Sequence, residues 1–394
     1  MPTVTELRLF AVDLPFKVTV RHAAAARTTS ESLFLRARLD DGTEGWGECL
    51  PRVYVSGEGR DQAFVLLRET ILPALVGRSF RSLGDAVSFL EKCDGKAPPE
   101  WVRPDTPQTS AWCIVDLALL DAFGRAAGEP ARPGAAAGPA SPDAALRRYR
   151  YSGVVSADHG WRYAVSLLKV RAFRFPHVKL KVEHDGSLPA ARTARRLLGR
   201  RVDLRVDANM AWDAEQALEV IGQLQAVGIR SFEQPIASGD LDGLARLVRE
   251  SSAGIVVDEG LTDRDSLQRF IAHRACTGAN VRISKCGGLV AAYARCREAL
   301  DAGLLLQVGC QVGESSLLSA AHLTLLQALA PLTPGVRYAE GCFGRHLLRE
   351  DPASPLVQFR YRGRPPPRPP GAGLGVRVDR AALQRHTVDQ AHVT

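Results

Sequence analysis

The sequence predicts an α/β protein in which a (β/α) barrel follows an α+β domain. Three observations lead to this prediction. Between about 150 and 340, short β-type runs alternate with helical runs and repeat about every 25 residues. Before them, a strand-like region precedes separate helical segments. Lysines and carboxylates also recur at the interval of the repeat. Eight such units predict a closed barrel with its active site at the carboxyl ends of the strands.

Residues 1–128 predict the α+β domain, which would cap the barrel. The run 31–49 is typical of a β-hairpin, because two apolar stretches flank the turn sequence Asp-Asp-Gly-Thr. In the segments 61–75 and 110–128 apolar residues lie three or four positions apart, which predicts helices. Strands followed by separate helices indicate an α+β domain.

The barrel is predicted over residues 148–345. Its eight β-type runs are YRYSGVV, HVKLKV, VDLRVDA, IRSFEQP, GIVVDE, NVRIS, LLLQVGC and VRYAEG. One intervening helix illustrates the pattern, with Asp213 as its N-cap and Gly228 as its stop. Residues 129–147, rich in Ala, Pro and Gly, are predicted to connect the domains. Part of 350–394 is expected to return to the capping domain and complete it.

Composition argues against several classes of protein. The net charge is +8, but the 51 basic residues (seven lysines and 44 arginines) are spread along the chain, so we expect no nucleic-acid partner. No apolar run approaches the roughly 18 residues that a membrane span needs. The chain starts without the pattern of a signal peptide, and its eight cysteines are far apart, so we expect reduced thiols and a cytoplasmic location. We also expect a homo-oligomer that acts on a small-molecule carboxylate.

Five reactive residues recur at the interval of the repeat. Two lysines and three carboxylates end successive predicted strands, at Lys181, Asp207, Glu233, Asp258 and Lys285. The intervals between them are 26, 26, 25 and 27 residues. Because parallel strands end at one rim of a barrel, we expect these side chains to form an arc around that rim.

This arc predicts a metal site between two acid/base groups. Three converging carboxylates, Asp207, Glu233 and Asp258, would repel one another without a cation, and oxygen ligands favour Mg²⁺, with Mn²⁺ as an alternative. Lys181 and Lys285 could remove and return a proton, whereas the guanidinium group of arginine is not deprotonated. The metal would stabilise the enediolate formed when a proton leaves the carbon next to a carboxylate.

Further polar residues are predicted to support the site or to bind substrate. They are Lys179, Asn209, Glu259, Glu314 and Glu340. Lys179 shares a strand face with Lys181 and would lower the pKa of that amine. Asn209 lines the site or forms a turn. Strand alternation lets only one of Asp258 and Glu259 face the metal, and the spacing favours Asp258. Glu314 lines the rim or caps the next helix.

These motifs resemble the mandelate racemase and muconate lactonizing enzyme family of the enolase superfamily. The matching elements are Lys179-Leu180-Lys181, Asp207-Ala208-Asn209, Glu233-Gln234-Pro235, Asp258-Glu259 and Lys285-Cys286-Gly287-Gly288. The resemblance implies a modified TIM barrel, (β/α)7β, with an N-terminal α+β capping domain. It also implies that the three carboxylates bind Mg²⁺, that Lys181 and Lys285 act on opposite substrate faces, and that loops at about 16–26 and 51–58 contact the unreactive part of the substrate.

Lysine at both catalytic positions resembles the muconate cycloisomerase-like subgroup. Dipeptide epimerases are also similar, but they carry an Asp-x-Asp pair after the last strand, where this chain has EGCFGR at 340–345. We therefore expect racemisation, epimerisation or cycloisomerisation of a small carboxylate. A lyase similar to o-succinylbenzoate synthase is the alternative, and a non-catalytic or nucleic-acid-binding barrel is a hypothesis from another class.

Overall fold

The structure, a computed structural model, describes residues 1–22, 25–134, 143–156, 160–182, 187–332 and 335–394. The middle of the predicted connection at 129–147 and part of the predicted loop at 16–26 lie outside these residues. The remaining parts of the chain form a capping domain and a barrel.

The capping domain is a four-stranded antiparallel sheet covered by helices. Its strands are β1 (Val4–His22), β2 (Ala25–Leu39) and β3 (Glu44–Cys49), joined by a C-terminal strand, β14 (Thr387–Val393), in the order β14-β1-β2-β3. Its helices are α1 (Val53–Ser56), α2 (Arg60–Leu66), a π-helical turn (Leu67–Ile71), α3 (Leu72–Leu75), α4 (Leu83–Cys93) and α5 (Thr109–Ala127). The hairpin predicted at 31–49 is the β2–β3 pair, and β14 brings the end of the chain back to β1.

The barrel contains eight parallel strands and seven α-helices within the described residues. The strands are β4 (Gly153–Ser156), β5 (His177–Lys181), β6 (Asp203–Asp207), β7 (Ser231–Glu233), β8 (Gly254–Val257), β9 (Gly278–Val281), β10 (Leu305–Val308) and β11 (Val336–Ala339). The helices are α6 (Gly160–Ala172), α7 (Ser187–Leu198), α8 (Ala214–Ala226), α9 (Leu241–Glu250), α10 (Arg264–Ala272), α11 (Leu289–Asp301) and α12 (Ser316–Leu329). The predicted (β/α)7β fold is confirmed.

The strands of the barrel pair in chain order, from β4 to β11. The two edges of the sheet also meet, because Tyr151 forms a parallel bridge with Ala339 and Ser152 N donates to Ala339 O at 3.0 Å. Strands that are four positions apart in this order therefore lie on opposite sides of the barrel. None of the helices in the described ranges is long and apolar enough to cross a membrane.

The smaller elements lie before, within and after the barrel. They are 3₁₀ turns at Ala145–Arg148, Ala330–Leu332, Gly344–His346 and Tyr361–Gly363, the short strands β12 (Ala353–Ser354) and β13 (Arg377–Val378), and α13 (Arg380–Arg385).

Helix α8 shows how local sequence sets the ends of the barrel helices. The side chain of Asp213 caps its first turn by accepting a hydrogen bond from Gln216 N at 2.9 Å. The chain then leaves the helix through Gly228, whose φ of 82° lies in the left-handed region that glycine tolerates. Ile221 and Leu224 on the inner face are fully buried. Both predicted ends of this helix are confirmed.

A buried carboxylate of the capping domain docks onto helix α11 of the barrel. Asp116 of α5 accepts hydrogen bonds from Leu289 N at 2.7 Å and from Val290 N at 3.3 Å. The free N–H groups at a helix N-terminus favour such an acceptor. Gly288 is needed here, because a Cβ at this position would lie 2.3 Å from the Asp116 side chain.

A second carboxylate makes the equivalent contact at α12. Glu48 of β3 accepts from Ser315 N at 2.9 Å, from Ser315 Oγ at 2.6 Å and from Leu318 N at 3.1 Å. Burial raises the pKa of Glu48 to about 7, against the effect of these hydrogen bonds. The two domains are thus joined by carboxylates that bind the N-termini of two neighbouring barrel helices.

We expect Asp116→Asn to lower the free energy of unfolding by about 1–3 kcal/mol at pH 8. Burial raises the pKa of Asp116 to about 7, so the carboxylate is ionised at this pH. The amide NH₂ of Asn would face one of the two backbone N–H groups and leave it without an acceptor. Urea denaturation measures the change. Asp301→Asn, at an exposed position at the end of α11, is the control, and equal stability of the two variants would contradict the docking role.

Candidate active site

The strand register brings the first three residues of the predicted arc side by side. Lys181 pairs with Asp207 across β5 and β6, and Asp207 pairs with Glu233 across β6 and β7. Glu233 in turn pairs with Val256, two residues before Asp258. The interval of 25 to 27 residues therefore corresponds to neighbouring positions at the carboxyl ends of adjacent strands.

A cavity of about 410 Å³ opens at this end of the barrel. The residues that line it are Val18, Thr19, Val20, Val154, Val155, Ser156, Arg162, Tyr163, Ser166, Lys179, Lys181, Arg282, Cys310, Val312, Glu340, Phe343, His346 and Leu347. The capping domain contributes 18–20, within the predicted loop at 16–26, although these residues belong to strand β1. The other predicted loop, 51–58, does not reach this cavity.

Lys179 neutralises three buried carboxylates. Its Nζ lies 3.1 Å from Asp207 Oδ2, 3.2 Å from Glu233 Oε2 and 2.9 Å from Glu340 Oε2. Burial alone would lower the pKa of Lys179, but these three negative charges outweigh it and raise that pKa. Burial likewise opposes the ionisation of Glu233, yet Lys179 and neighbouring arginines hold its pKa well below the ordinary value.

Arg205 is a second buried cation, and sequence reasoning missed it. Its guanidinium donates to Glu233 Oε2 at 3.2 Å and also pairs with Glu340 and Gln307. The side chain is 1% exposed. Arg205 lies two positions before Asp207 on β6, so strand alternation could have predicted that it points into the barrel.

Lys285 lies next to Asp258, and its role as the second acid/base group stays a prediction. Its Nζ is fully buried and donates to Asp258 O at 2.6 Å, Asp258 Oδ1 at 2.8 Å and Asn280 O at 2.9 Å. Burial lowers the pKa of Lys285 to about 7. Such a pKa suits a proton acceptor, but a proton acceptor must first reach the substrate. This position instead fixes the Asp258 side chain.

Arg282 lines the cavity, and it was not predicted as a site residue. It follows β9 directly, and its guanidinium pairs with Asp258 and donates to Gln311 Oε1 at 3.0 Å. Alternation from Asn280, whose side chain points inward to Glu233 Oε1 at 2.9 Å, places residue 282 on the same inner face. Strand alternation could therefore have predicted the orientation of Arg282 from the sequence.

Asp258 and Glu259 both face the site, whereas alternation allowed only one of them. Strand β8 ends at Val257, so both residues lie beyond the part of the chain that alternation governs. Glu259 accepts a hydrogen bond from Asn209 Nδ2 at 2.8 Å. Burial, followed by the charge of Asp207, raises the pKa of Glu259 to about 7. Asn209 itself has a φ of 44°, so it both forms a turn and contacts the site.

Glu314 has neither of the roles predicted for it. It is buried and does not line the cavity, and its Oε1 accepts from Gln311 N at 2.6 Å within its own loop. The N-cap of α12 is Ser315. Glu340 does line the cavity and contacts Lys179, which fits a supporting role.

The carboxylates fit a hard cation only in part. Oε2 of Glu259 is buried and accepts no hydrogen bond, and an unpartnered carboxylate oxygen suits Mg²⁺. Oδ2 of Asp207 also accepts no hydrogen bond, but it forms an ion pair with Lys179 Nζ at 3.1 Å. In contrast, N–H donors occupy both oxygens of Glu233 and of Asp258. Among the residues that the structure describes, no three His, Cys, Asp or Glu side chains form a group that could hold a metal ion. Lysine and arginine pair with these carboxylates in the structure, and the bound metal stays a prediction.

Comparisons with known proteins cover almost the whole chain. Residues 4–132 match the family model "Mandelate racemase / muconate lactonizing enzyme, N-terminal domain", and residues 162–382 match "Enolase C-terminal domain-like". Muconate cycloisomerase 1 of Pseudomonas putida is 30% identical over 94% of this chain and 95% of its own length. N-succinyl-L-Arg/Lys racemase of Bacillus cereus is 22% identical over 98% of both. L-Ala-D/L-Glu epimerase of Bacillus subtilis is 26% identical over 78% of this chain and 80% of its own.

Solved structures share the fold over the full length. The N-succinyl Arg/Lys racemase of Bacillus cereus superimposes with a TM-score of 0.86 at 22% identity, covering 100% of both chains. The muconate lactonizing enzyme of Pseudomonas putida gives a TM-score of 0.80 at 25% identity, covering 98% of this chain and 99% of that one.

We expect Lys179→Met to lower the free energy of unfolding by about 3–5 kcal/mol at pH 7, because it leaves buried carboxylates without a partner. Glu233 has a lowered pKa in the folded state, so the stability it gains from Lys179 is present above its ordinary pKa of 4.5 and is lost at lower pH. The gap between variant and wild type should therefore narrow in acid. Denaturant titrations at pH 7 and pH 4 measure it, with the exposed Lys169→Met as control. A gap that is the same at both pH values would disprove this charge balance.

Proposed function

The chain belongs to the mandelate racemase/muconate lactonizing enzyme family and is an isomerase of the enolase superfamily, and from this premise we propose that Lys181 transfers the proton next to the carboxylate of a small substrate. One observation carries the proposal. Lys181 is an amine on the cavity wall, with a side chain that is 22% exposed and an Nζ 3.8 Å from Asp207 Oδ2. A substrate in the cavity could therefore reach it.

The neighbouring lysines are less suited to this step. Lys179 is held by three carboxylates, which keep its proton in place. Lys285 is fully buried behind Asp258. Its assignment as the second acid/base group stays a prediction, and its contacts favour a role in positioning Asp258.

We propose that Mg²⁺ binds at this rim, with Asp207, Glu233 and Asp258 as its ligands. Asp207 supports this, because its Oδ2 accepts no hydrogen bond although it pairs with Lys179. The raised pKa of Glu259 also supports it, because charge from Asp207 contributes to the shift and a cation would relieve the repulsion. When bound, Mg²⁺ would supply positive charge for the carboxylate of the substrate as its α-proton leaves.

The names of the relatives support a small carboxylate as the substrate. Their names refer to muconate, to N-succinyl-Arg/Lys and to the Ala-Glu dipeptide. We propose a substrate of this class, and racemisation, epimerisation and cycloisomerisation all begin from the same proton transfer. A lyase is the second candidate. It is favoured because Lys181 is, among the described residues, the one lysine that lines the cavity without pairing with three carboxylates.

We expect Lys181→Met to reduce exchange of the substrate α-proton in D₂O by roughly 10²- to 10⁴-fold, the range attributed to a positioned acid/base group. The probes are muconolactone, N-succinyl-L-arginine and L-Ala-L-Glu, and NMR follows the loss of the proton signal. Lys169→Met, on the exposed face of α6, should exchange like wild type. Undiminished exchange in the Lys181 variant would remove the basis of the proposal.

We expect Mg²⁺ to stabilise the wild type, by about 2.7 kcal/mol at a free concentration roughly 100 times the Kd. Asp207→Asn should lose most of this gain, because it replaces a charged ligand whose Oδ2 accepts no hydrogen bond. Thermal unfolding with and without Mg²⁺ measures the effect. Asp242→Asn, exposed on α9, should keep it. If Mg²⁺ does not change the melting temperature of the wild type, this metal site is ruled out.

A further inference from the structure

We propose that a second cavity, beside the amino end of strand β4, binds a small organic polyphosphate such as a nucleoside triphosphate. This cavity has a volume of about 670 Å³, and four arginines, a tyrosine and three consecutive prolines are among the residues that line it. None of its described lining residues also lines the cavity that contains Lys181. The proposal therefore goes beyond the proposed function and does not depend on it.

Two segments of the chain form the wall of this cavity. One lies within 143–150, which leads into β4, and the other lies within 360–367, after the barrel. Tyr151 N donates to Gly363 O at 2.7 Å, and a Cβ on Gly363 would lie 2.3 Å from Tyr151 O. The glycine therefore lets the second segment pack directly against the start of the barrel, whereas Lys181 lies at the carboxyl end of its strand.

Four arginines give the cavity its charge. Arg147 and Arg150 come from the first segment, and Arg360 and Arg364 come from the second. Within the described parts of the chain, none of the four forms an ion pair with a carboxylate. The stretch 135–142, which precedes the first segment in sequence, contains no charged residue. Like charges that face one cavity repel one another, and an anion bound between them removes this repulsion.

The pKa of Arg150 reflects the repulsion. Partial burial lowers this pKa most, and the charges of Arg364 and Arg362 lower it further. Asp143 also lines the wall, but its Oδ1 accepts a hydrogen bond from Arg368 N at 3.3 Å. One carboxylate against four guanidinium groups leaves the cavity positive.

The number and type of these cations favour a chain of phosphates. The planar fork of a guanidinium matches pairs of oxygens on a phosphate or a carboxylate. A single anionic group would leave most of the four charges without a partner. Linked phosphates each carry negative charge, so a chain of them can pair with several guanidinium groups at once. Cavities of roughly 300–1,000 Å³ hold organic ligands, so this one has room for more than the phosphates.

Tyr361 and the prolines provide a surface for the organic part of the ligand. Tyr361 is 49% exposed and shares the cavity wall with Pro365, Pro366 and Pro367. Its ring packs against Phe173, with the ring centroids 6.0 Å apart. Exposed aromatic rings stack on nucleobases of any type, and prolines restrict the backbone of the wall. A polyphosphate that carries a flat ring fits this combination of groups.

Isothermal titration calorimetry of the full chain with ATP tests the proposal. EDTA is present, so that no metal at the carboxylate rim takes part. We expect saturable binding, and Arg147→Gln combined with Arg364→Gln should weaken it at least about 10-fold, because two charged hydrogen-bond donors are lost. Both side chains are exposed, so the variant should unfold at the temperature of the wild type. Arg192→Gln combined with Arg196→Gln, exposed on α7, is the matched control and should bind like wild type.

Two further variants locate the ligand. Tyr361→Ala should weaken binding of ATP by roughly 5-fold or more, but it should leave binding of inorganic tripolyphosphate unchanged, because only stacking is lost. Lys181→Met should bind ATP like wild type, because the active-site cavity takes no part.

Several results would overturn the proposal. Absence of saturable binding, or equal affinity of the double arginine variant and the wild type, would remove the site. Loss of binding in Lys181→Met would place the anion in the active-site cavity. Unchanged ATP affinity in Tyr361→Ala would refute the contact with the organic part, and citrate that binds as tightly as ATP would refute the preference for phosphate. A single-stranded oligonucleotide that binds more tightly than ATP would indicate nucleic acid instead of a small ligand.

This proposal and the proposed function fail independently. Calorimetry without metal or substrate decides whether the arginine-lined cavity binds ATP. Exchange of the substrate α-proton in D₂O decides the role of Lys181, and Arg147→Gln combined with Arg364→Gln should not change that exchange, because these residues lie outside the active-site cavity.

Discussion

The rest of the structure depends on the burial of several carboxylates at one end of the barrel. A buried carboxylate is costly unless a cation or several donors neutralise it. Glu233 shows how this is achieved, since its two oxygens accept from Lys179, Arg205, Asn280 and Gln307. Each of these side chains comes from a different strand of the sheet. The contacts that neutralise this one charge thus connect the side chains of four strands inside the barrel.

This requirement also decides which cation is free for chemistry. Lys179 and Arg205 form ion pairs with Glu233 and Glu340, and Lys285 forms an ion pair with Asp258. Lys181 keeps a partly exposed amine 3.8 Å from the nearest carboxylate oxygen. Of the two described lysines that line the cavity, Lys181 is therefore the one with the more exposed amine.

The sequence predicted those parts of the site in which regular strand geometry controls the side chains. The spacing of Lys181, Asp207 and Glu233 corresponds to direct neighbours in the register. Alternation could not be applied where the chain leaves the strands. Asp258 and Glu259 follow the end of β8, so both can turn to the site. Beyond β9, both Arg282 and Lys285 contact Asp258, and alternation indicated only Arg282. Spacing alone cannot show where a strand ends.

The capping domain supplies part of the cavity wall beside the charged rim. Val18 and Val20 of β1 form part of the cavity wall, so a substrate would place its unreactive part against an apolar surface. That surface keeps its position because Asp116 and Glu48 accept hydrogen bonds at the N-termini of barrel helices α11 and α12. The carboxylates that join the domains lie away from the cavity, and the side chains that line it are free to differ in another enzyme with this fold. The apolar part of the cavity wall and the charged rim thus come from different domains, so one can change in sequence while the other stays the same.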